Sequence, residues 1–228
     1  MKPSTRAFVR RHTRLQPVEY LEGIRLHLAD DVIPLWHAVQ RESDDPDAPL
    51  PYWAFAWAGG LALACYVNDH PEVVRGRRVL DVASGSGLVA IAAGRAGAAT
   101  VTAADVDPFA EAAIESNARA NRIRVEVICR DLLGDEPPDV DIVLAGDTWY
   151  ERSLARRVLP WLHRARRRGI DVLVGDPGRR YLPLAELVEV ATYHVRTTTE
   201  LDDLAFKQAR VYRLRPPPTA ALMADASA

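Results

Sequence analysis

The chain has almost no lysine. Of its 29 basic residues only Lys2 and Lys207 are lysines, so arginine carries nearly all the positive charge. Genomic base composition accounts for that bias, and it carries no functional weight. Cysteine is also scarce. Cys65 and Cys129 lie far apart in apolar contexts, with no CxxC or Cys/His spacing. That argues against a disulfide framework and against a zinc or other metal site. Such usage suits a reducing compartment, and a cytoplasmic location is expected. No apolar run reaches the roughly 20 residues of a membrane span. Charge of one sign is missing too: 31 acidic residues against 29 basic ones leave a net charge of −2. General attraction to nucleic acid or to an anionic membrane is therefore not expected.

What is present suits one substantial globular domain, since 228 residues are too few for two comfortable ones. The first eighteen residues carry Arg6, Arg10, Arg11 and Arg14 and no acid, a composition shared with mitochondrial transit peptides. The preferred reading is a helix capped by Ser4, with Phe8, Val9 and Leu15 against the domain. "EGIRLHLAD" reads as a short strand, and "DDVIPLWHAVQ" as a short helix broken by Pro34. An acidic, proline-bearing loop, "RESDDPDAPLP", then leads into the apolar helix of "YWAFAWAGGLALACYVNDHP".

From Arg78 the rhythm is regular. Five β-branched runs ("RRVLDVA", "ATVTAAD", "RVEVICR", "VDIVLAG", "IDVLVGD") are separated by three helical segments and the plain loop "DLLGDEPPD". Alternation of this kind predicts an α/β fold, a doubly wound parallel sheet covered on both faces. "LVEVATYHVRTTTE" and "KQARVYRLR" read as a final antiparallel pair. Residues 1–50 are expected to form an extension packed on the core, 51–216 the main domain, and 217–228 a loose tail.

The chemistry centres on "RVLDVASGSGLVAIAAG". "SGSGLVA" fits G-x-G-x-x-A, which is also the dinucleotide fingerprint, and alone it is a weak signal. The acids around it decide. Asp81 ends the first of the five strands, just before the glycines, where a carboxylate would repel a pyrophosphate at the helix start. It would attract the α-amino group and sulfonium of S-adenosylmethionine. Asp105 ends the next strand about twenty residues on, placed for ribose hydroxyls, and Asp131 ends the third, placed for an adenine amino group. Asp107 is better read as a helix cap before Pro108. The crevice at these strand ends is where open α/β sheets bind ligands.

With these residues the chain resembles the seven-β-strand class I methyltransferases that use S-adenosylmethionine. Within them it is most similar to the electron transfer flavoprotein β-subunit lysine methyltransferases. The resemblance runs over 51–214 and is carried by "PYWAFAWAGG" (51–60), "VLDVASGSG" (79–87), "DVDP" (105–108), "GDTWYE" (146–151) and "GDPGR" (175–179). One departure is Ala83, where that family more often has glycine; alanine still permits a close backbone approach. The resemblance implies a cofactor site formed by Trp57, Asp81, Ala83, Ser84, Gly85, Gly87, Asp105, Asp131 and Gly146. It implies the Asp-x-x-Tyr pair Asp147 and Tyr150 at the reacting centre, and a protein substrate, the flavoprotein's β subunit. Trp149 would add cation–π stabilisation of a methylated ammonium, the alternative being that it packs the first turn of the next helix. Asp176 with Arg179 would dock substrate at the rim, the alternative being that "GDPGR" is a rigid structural corner.

Competing readings are a small-molecule N-methyltransferase acting on a nicotinamide- or pyridine-like amine, a non-catalytic cofactor-binding module, and a nicotinamide-dependent oxidoreductase. "DTWY" lacks the prolines of the Asp/Asn-Pro-Pro-aromatic quartet of DNA amino-methyltransferases, which argues against a flipped base. The basic run "HRARRRG" reads as the solvated end of a helix.

Overall fold

The computed structural model describes residues 5–196 and 206–216. Ser4, residues 197–205, where the polar turn between the last two strands is expected, and the tail 217–228 lie outside the described residues. The N-terminal part comprises α1 (Thr5–His12), β1 (Arg14–Pro17), β2 (Arg25–Leu28) and α2 (Val32–Ser43). A single 3-10 turn at Tyr52–Ala54 precedes α3 (Ala58–Asp69). The alternating part follows: β3 (Arg78–Val82), α4 (Leu88–Arg95), β4 (Thr100–Asp105), α5 (Pro108–Ala120), β5 (Glu126–Cys129), β6 (Ile142–Gly146), α6 (Arg152–Arg167) and β7 (Asp171–Asp176). The last strands are β8 (Leu187–Arg196) and β9 (Phe206–Leu214).

Seven strands form one sheet in the order β5-β4-β3-β6-β7-β9-β8. The first five are parallel and β9 runs antiparallel to both neighbours. Alternation along each strand feeds two cores. Val79, Ile142, Leu144 and Leu173 face α3 and α4, joining Leu61, Leu63, Val67 and Ile91. Leu80, Val143, Val172 and Val174 face the other way, onto Val158, Trp161 and Leu162 of α6. Strand order reverses between β3 and β6, so the strand ends splay there and open a cleft.

The N-terminal residues enter these cores. Leu21, Ile24 and Leu26 lie in the same cluster as α3 and α4. Phe8 and Val9 pack with Trp53, Ala110 and Ala113. Leu15 lies on β1, a strand the sequence does not announce, paired with His27 of β2. Pro34 does not break α2: it stands in the first turn, where its missing N–H has no intrahelical acceptor to lose. No helix among the described residues is long and apolar enough to cross a membrane.

Candidate active site

A cavity of about 460 Å³ opens at the C-terminal ends of β3, β4 and β6. Its floor is the loop after β3, residues 83–86. Ala83, Gly85 and Gly87 all have positive φ, 53°, 55° and 79°. Asp81 is buried beneath, its Oδ2 accepting from Ser84 Oγ at 2.5 Å and from Ala90 N at 3.1 Å. The carboxylate thus ties the loop to the first turn of α4. Burial pushes its pKa up to about 7. Asp105 holds the loop from the other side: Oδ2 accepts from Gly85 N at 2.8 Å and Oδ1 from Asp107 N at 3.1 Å. Burial raises its pKa as well. Asp107 is the α5 cap, accepting from Phe109 N at 2.7 Å, and burial lifts it to about 6. Gly87 stands behind the floor rather than in the cleft, close enough to Ile114 that a Cβ would come within 3.3 Å.

Asp131 reaches the cleft but stands exposed at its rim. Its Oδ1 accepts from Leu133 N at 2.9 Å and its Oδ2 pairs with Arg157, whose hydrogen bond holds the carboxyl below its usual range. The neighbouring wall is apolar: Val106, Leu132, Leu133, Pro49 and Leu50.

The opposite end is built by a close contact between α3 and the ends of β6 and β7. Gly59 lies so near β7 that a Cβ there would stand 2.3 Å from Gly175 O, and one on Gly146 would stand 2.8 Å from Gly60 Cα. Directly after β6, Asp147 turns into the left-handed region, φ 54°, with its N–H on Gly175 O at 2.9 Å. That turn aims its side chain across the cleft. Oδ2 accepts from Gly60 N at 2.6 Å, and Oδ1 pairs with Arg179 Nη2 at 3.0 Å. Gly60 N belongs to the first turn of α3 and has no acceptor within the helix, so this end of the helix favours the carboxylate.

Aromatic rings line the mouth. Tyr150 lies 5.2 Å from Tyr52, which lies 5.6 Å from Trp57. Trp57 is fixed by Nε1 donating to Tyr52 O at 2.8 Å and is crossed by the Arg179 guanidinium at 5.7 Å. Burial, with the nearby Tyr52 next in weight, raises Tyr150 to about 12, so its hydroxyl stays protonated at neutral pH.

Besides Gly87, two expectations fail. Trp149 does not face the cleft: it is buried in the α6-side core, 1% exposed. The left-handed step at Asp147 sends residue 149 under the sheet and residue 150 outward. Asp176 is not at the rim either. It is fully buried, and its Oδ1 accepts from Gly178 N at 2.7 Å and Arg179 N at 2.6 Å, shaping the turn after β7. Burial lifts its pKa to about 6. Tyr52 is one of the cleft residues that sequence reasoning missed, together with Val106, Leu132 and Leu133 of the apolar wall. It opens the "YWAFAWAGG" segment, yet nothing in the pattern distinguishes it from Trp53, which is buried and stacks on Phe109.

The donor set suits a cationic nucleoside. Asp81, Asp105 and Asp107 gather around the glycine loop. The arginines that reach the cavity are already matched, Arg130 to Asp135 and Arg179 to Asp147. A diphosphate would meet carboxylates here, whereas a sulfonium and an α-amino group would be attracted.

Comparison with known proteins agrees. Residues 65–146 match the sequence profile of the family described as ribosomal protein L11 methyltransferase. The electron transfer flavoprotein β-subunit lysine methyltransferase of Xenopus laevis is 34% identical over 217 residues, covering 92% of this chain and 87% of that protein. The human protein of the same name is 43% identical over 134 residues, 57% of this chain and 50% of that one. Among solved structures, a Pyrococcus horikoshii protein superposes with a TM-score of 0.57 at 16% identity, covering 75% of this chain and 90% of that one. A Thermus thermophilus 16S rRNA methyltransferase, solved with S-adenosylmethionine and guanosine, gives 0.50 at 20% identity, covering 70% and 43%. The cofactor of this fold family is S-adenosylmethionine, and the acids around the glycine loop fit it. The chain belongs to the family of electron transfer flavoprotein β-subunit lysine methyltransferases, within the class I S-adenosylmethionine-dependent methyltransferases.

Proposed function

We propose that this methyltransferase acts on a lysine side-chain amine of a protein, with the β subunit of electron transfer flavoprotein as its substrate. The observation that carries the reading is the placement of Asp147 and Tyr150. Both lie at one end of a cleft whose other end is built for the nucleoside, and both belong to the Asp-x-x-Tyr pattern of the family.

When bound, S-adenosylmethionine supplies an electrophilic methyl group. Asp105, which already accepts from Gly85 N and Asp107 N, would hold the ribose hydroxyls with its remaining acceptor capacity. Asp81 and the backbone of Ala83, Ser84 and Gly85 would receive the methionine end. Val106, Leu132 and Leu133, which line the cleft, would flank the adenine, with Asp131 at its polar edge, and Trp57 and Gly146 would wall the methyl side. Asp147 and the Tyr150 oxygen accept the two N–H bonds of a neutral amine and so turn its lone pair toward the methyl carbon. Orientation of this kind supplies a large part of the rate, because in-line attack needs the atoms at about 3–3.5 Å. The tyrosine and tryptophan rings exclude water from the amine.

Asp147→Ala should retain the cofactor and lose at least about 100-fold in methyl transfer, as removal of an aligned polar group does at such centres. The measurement is tritium transfer from labelled cofactor to purified β subunit, with the modified residue located by peptide mass. Label in a lysine supports the reading. Label confined to small amines in a lysate would replace it with the small-molecule alternative, and a variant that transfers methyl normally would remove Asp147 from the centre.

A further inference from the structure

Asp147 presents a physical problem for a lysine methyltransferase. A lysine amine has a reference pKa of about 10.4, and only the neutral form has a lone pair to donate. A carboxylate within about 4–6 Å favours the charged ammonium, by roughly 1–3 pKa units. An unbalanced Asp147 would hold its substrate in the unreactive state.

Arg179 answers this. Its guanidinium donates to Asp147 Oδ1 from Nη2 at 3.0 Å and from Nε at 3.3 Å, and it lies across the face of Trp57. The pair is sheltered, with 21% of the arginine side chain and 11% of the aspartate side chain exposed, so solvent screens it only in part. Arg179 does not arrive by chance. The buried carboxylate of Asp176 takes the N–H groups of Gly178 and Arg179, which fixes where the side chain leaves the turn. The other charged or titratable groups around this end are Asp176 at the end of β7, Tyr150 and Glu151 after β6, and Tyr52 before α3. Asp105 and Asp81 stand further along the floor. The first turn of α3 brings no acid. None of these is a cation, and the ion pair described at Asp147 is the one with Arg179.

We propose that Arg179 is a positioning residue whose charge cancels that of Asp147, so that the acceptor lysine occupies the cleft as the neutral amine while Asp147 still accepts its N–H. The inference rests on the lysine reading above. The entering ammonium gives one proton to solvent. The lone pair so uncovered forms the N–C bond, the S–C pair stays on sulfur, and the products are a methylammonium and a neutral thioether.

The test is the pH dependence of kcat at saturating cofactor and β subunit, because kcat reports groups in the bound complex. Arg179→Gln should move the acid limb of the profile up by about one pH unit, the lower end of the effect of one nearby charge. Arg179→Lys should bring it back. The double variant Asp147→Asn/Arg179→Gln, which leaves no unpaired charge, should have its limb at the wild-type pH, and it remains informative if the single variant is unstable. A lower kcat with an unmoved limb would mean that Arg179 is merely structural and would overturn the proposal. A second readout needs no acceptor protein: binding of n-butylammonium in the presence of S-adenosylhomocysteine, followed by NMR. Arg179→Gln should bind it about tenfold more tightly than wild type, and equal affinity would overturn the proposal. If the β subunit is not methylated by the wild type, the substrate reading fails, and the butylammonium measurement alone decides the role of Arg179.

Discussion

Ala83 is the position that the resemblance sets apart from a usual glycine, and the backbone shows the cost of a side chain there. Its φ of 53° lies in the left-handed region, where a Cβ is penalised by about 1–2 kcal/mol. Glycine avoids that penalty but loses roughly 0.5–1 kcal/mol through the freedom of the unfolded chain. Ala83→Gly should therefore stabilise the protein by up to about 1 kcal/mol, read as a raised midpoint in urea or thermal unfolding; a destabilised variant would show the turn to be unstrained. The sequence announces the departure but not its consequence, because φ is not written in composition. Asp147 is the same lesson in a functional residue. Its place after β6 is legible from "GDTWYE", whereas its left-handed conformation is not, and that conformation decides that Tyr150 faces the cleft and Trp149 the core. Aspartate tolerates this region better than most residues, so one position supplies both the turn and the carboxylate.

At the scale of elements, the contact that makes the reactive end is α3 on the ends of β6 and β7. Gly59 faces Gly175 and Gly60 faces Gly146, so the helix N-terminus comes near enough for Gly60 N to reach Asp147 at 2.6 Å. A methyl group on Gly59 would stand 2.3 Å from a backbone oxygen that cannot rotate away. Gly59→Ala should destabilise by about 1–3 kcal/mol, in the range of overpacked cores, and should push α3 off the sheet. Thermal unfolding gives the first quantity. The second would show as weakened methyl transfer with cofactor affinity changed less, and a variant of wild-type stability and activity would contradict this account of the contact. The strands and helices after Arg78 were readable because each buried face repeats with its own period, two or 3.6 residues. The N-terminal region was less so. β1 is four residues long and half exposed, too short for alternation to register, and Pro34 reads as a breaker unless its place in the first turn is known.

For the whole molecule, the cleft is held together at an electrostatic cost. Asp81, Asp107 and Asp176 have folded pKa values of about 7, 6 and 6, raised by burial, against an ordinary value near 4. Between about pH 4 and 7 the folded state therefore binds more protons than the unfolded chain, and stability falls as pH rises through that window. His12 and His27 act in the opposite sense: burial lowers both, so they lose stability as pH falls below about 6.5. Three large shifts should outweigh these two. Below pH 4 the sign reverses again. Asp141, bound by Arg78, has a pKa of about 2; Asp131 is lowered by Arg157; Asp171, despite burial, is lowered by Arg77 and Arg166. All three lose their contribution on protonation. The protein without cofactor should be most stable in mildly acid solution, between about pH 4 and 6, and should weaken toward neutrality. S-adenosylmethionine brings positive charge to Asp81, which favours the ionised carboxylate, so its affinity should increase from pH 5 to 7 and its stabilisation of the fold with it. Melting temperature against pH, with and without cofactor, checks both halves. Asp81→Asn should remove most of the pH dependence of binding. An affinity that stays flat from pH 5 to 7 in the wild type would mean that the cation does not sit at Asp81, and the electrostatic basis for choosing a sulfonium nucleoside over a diphosphate would lose its first support.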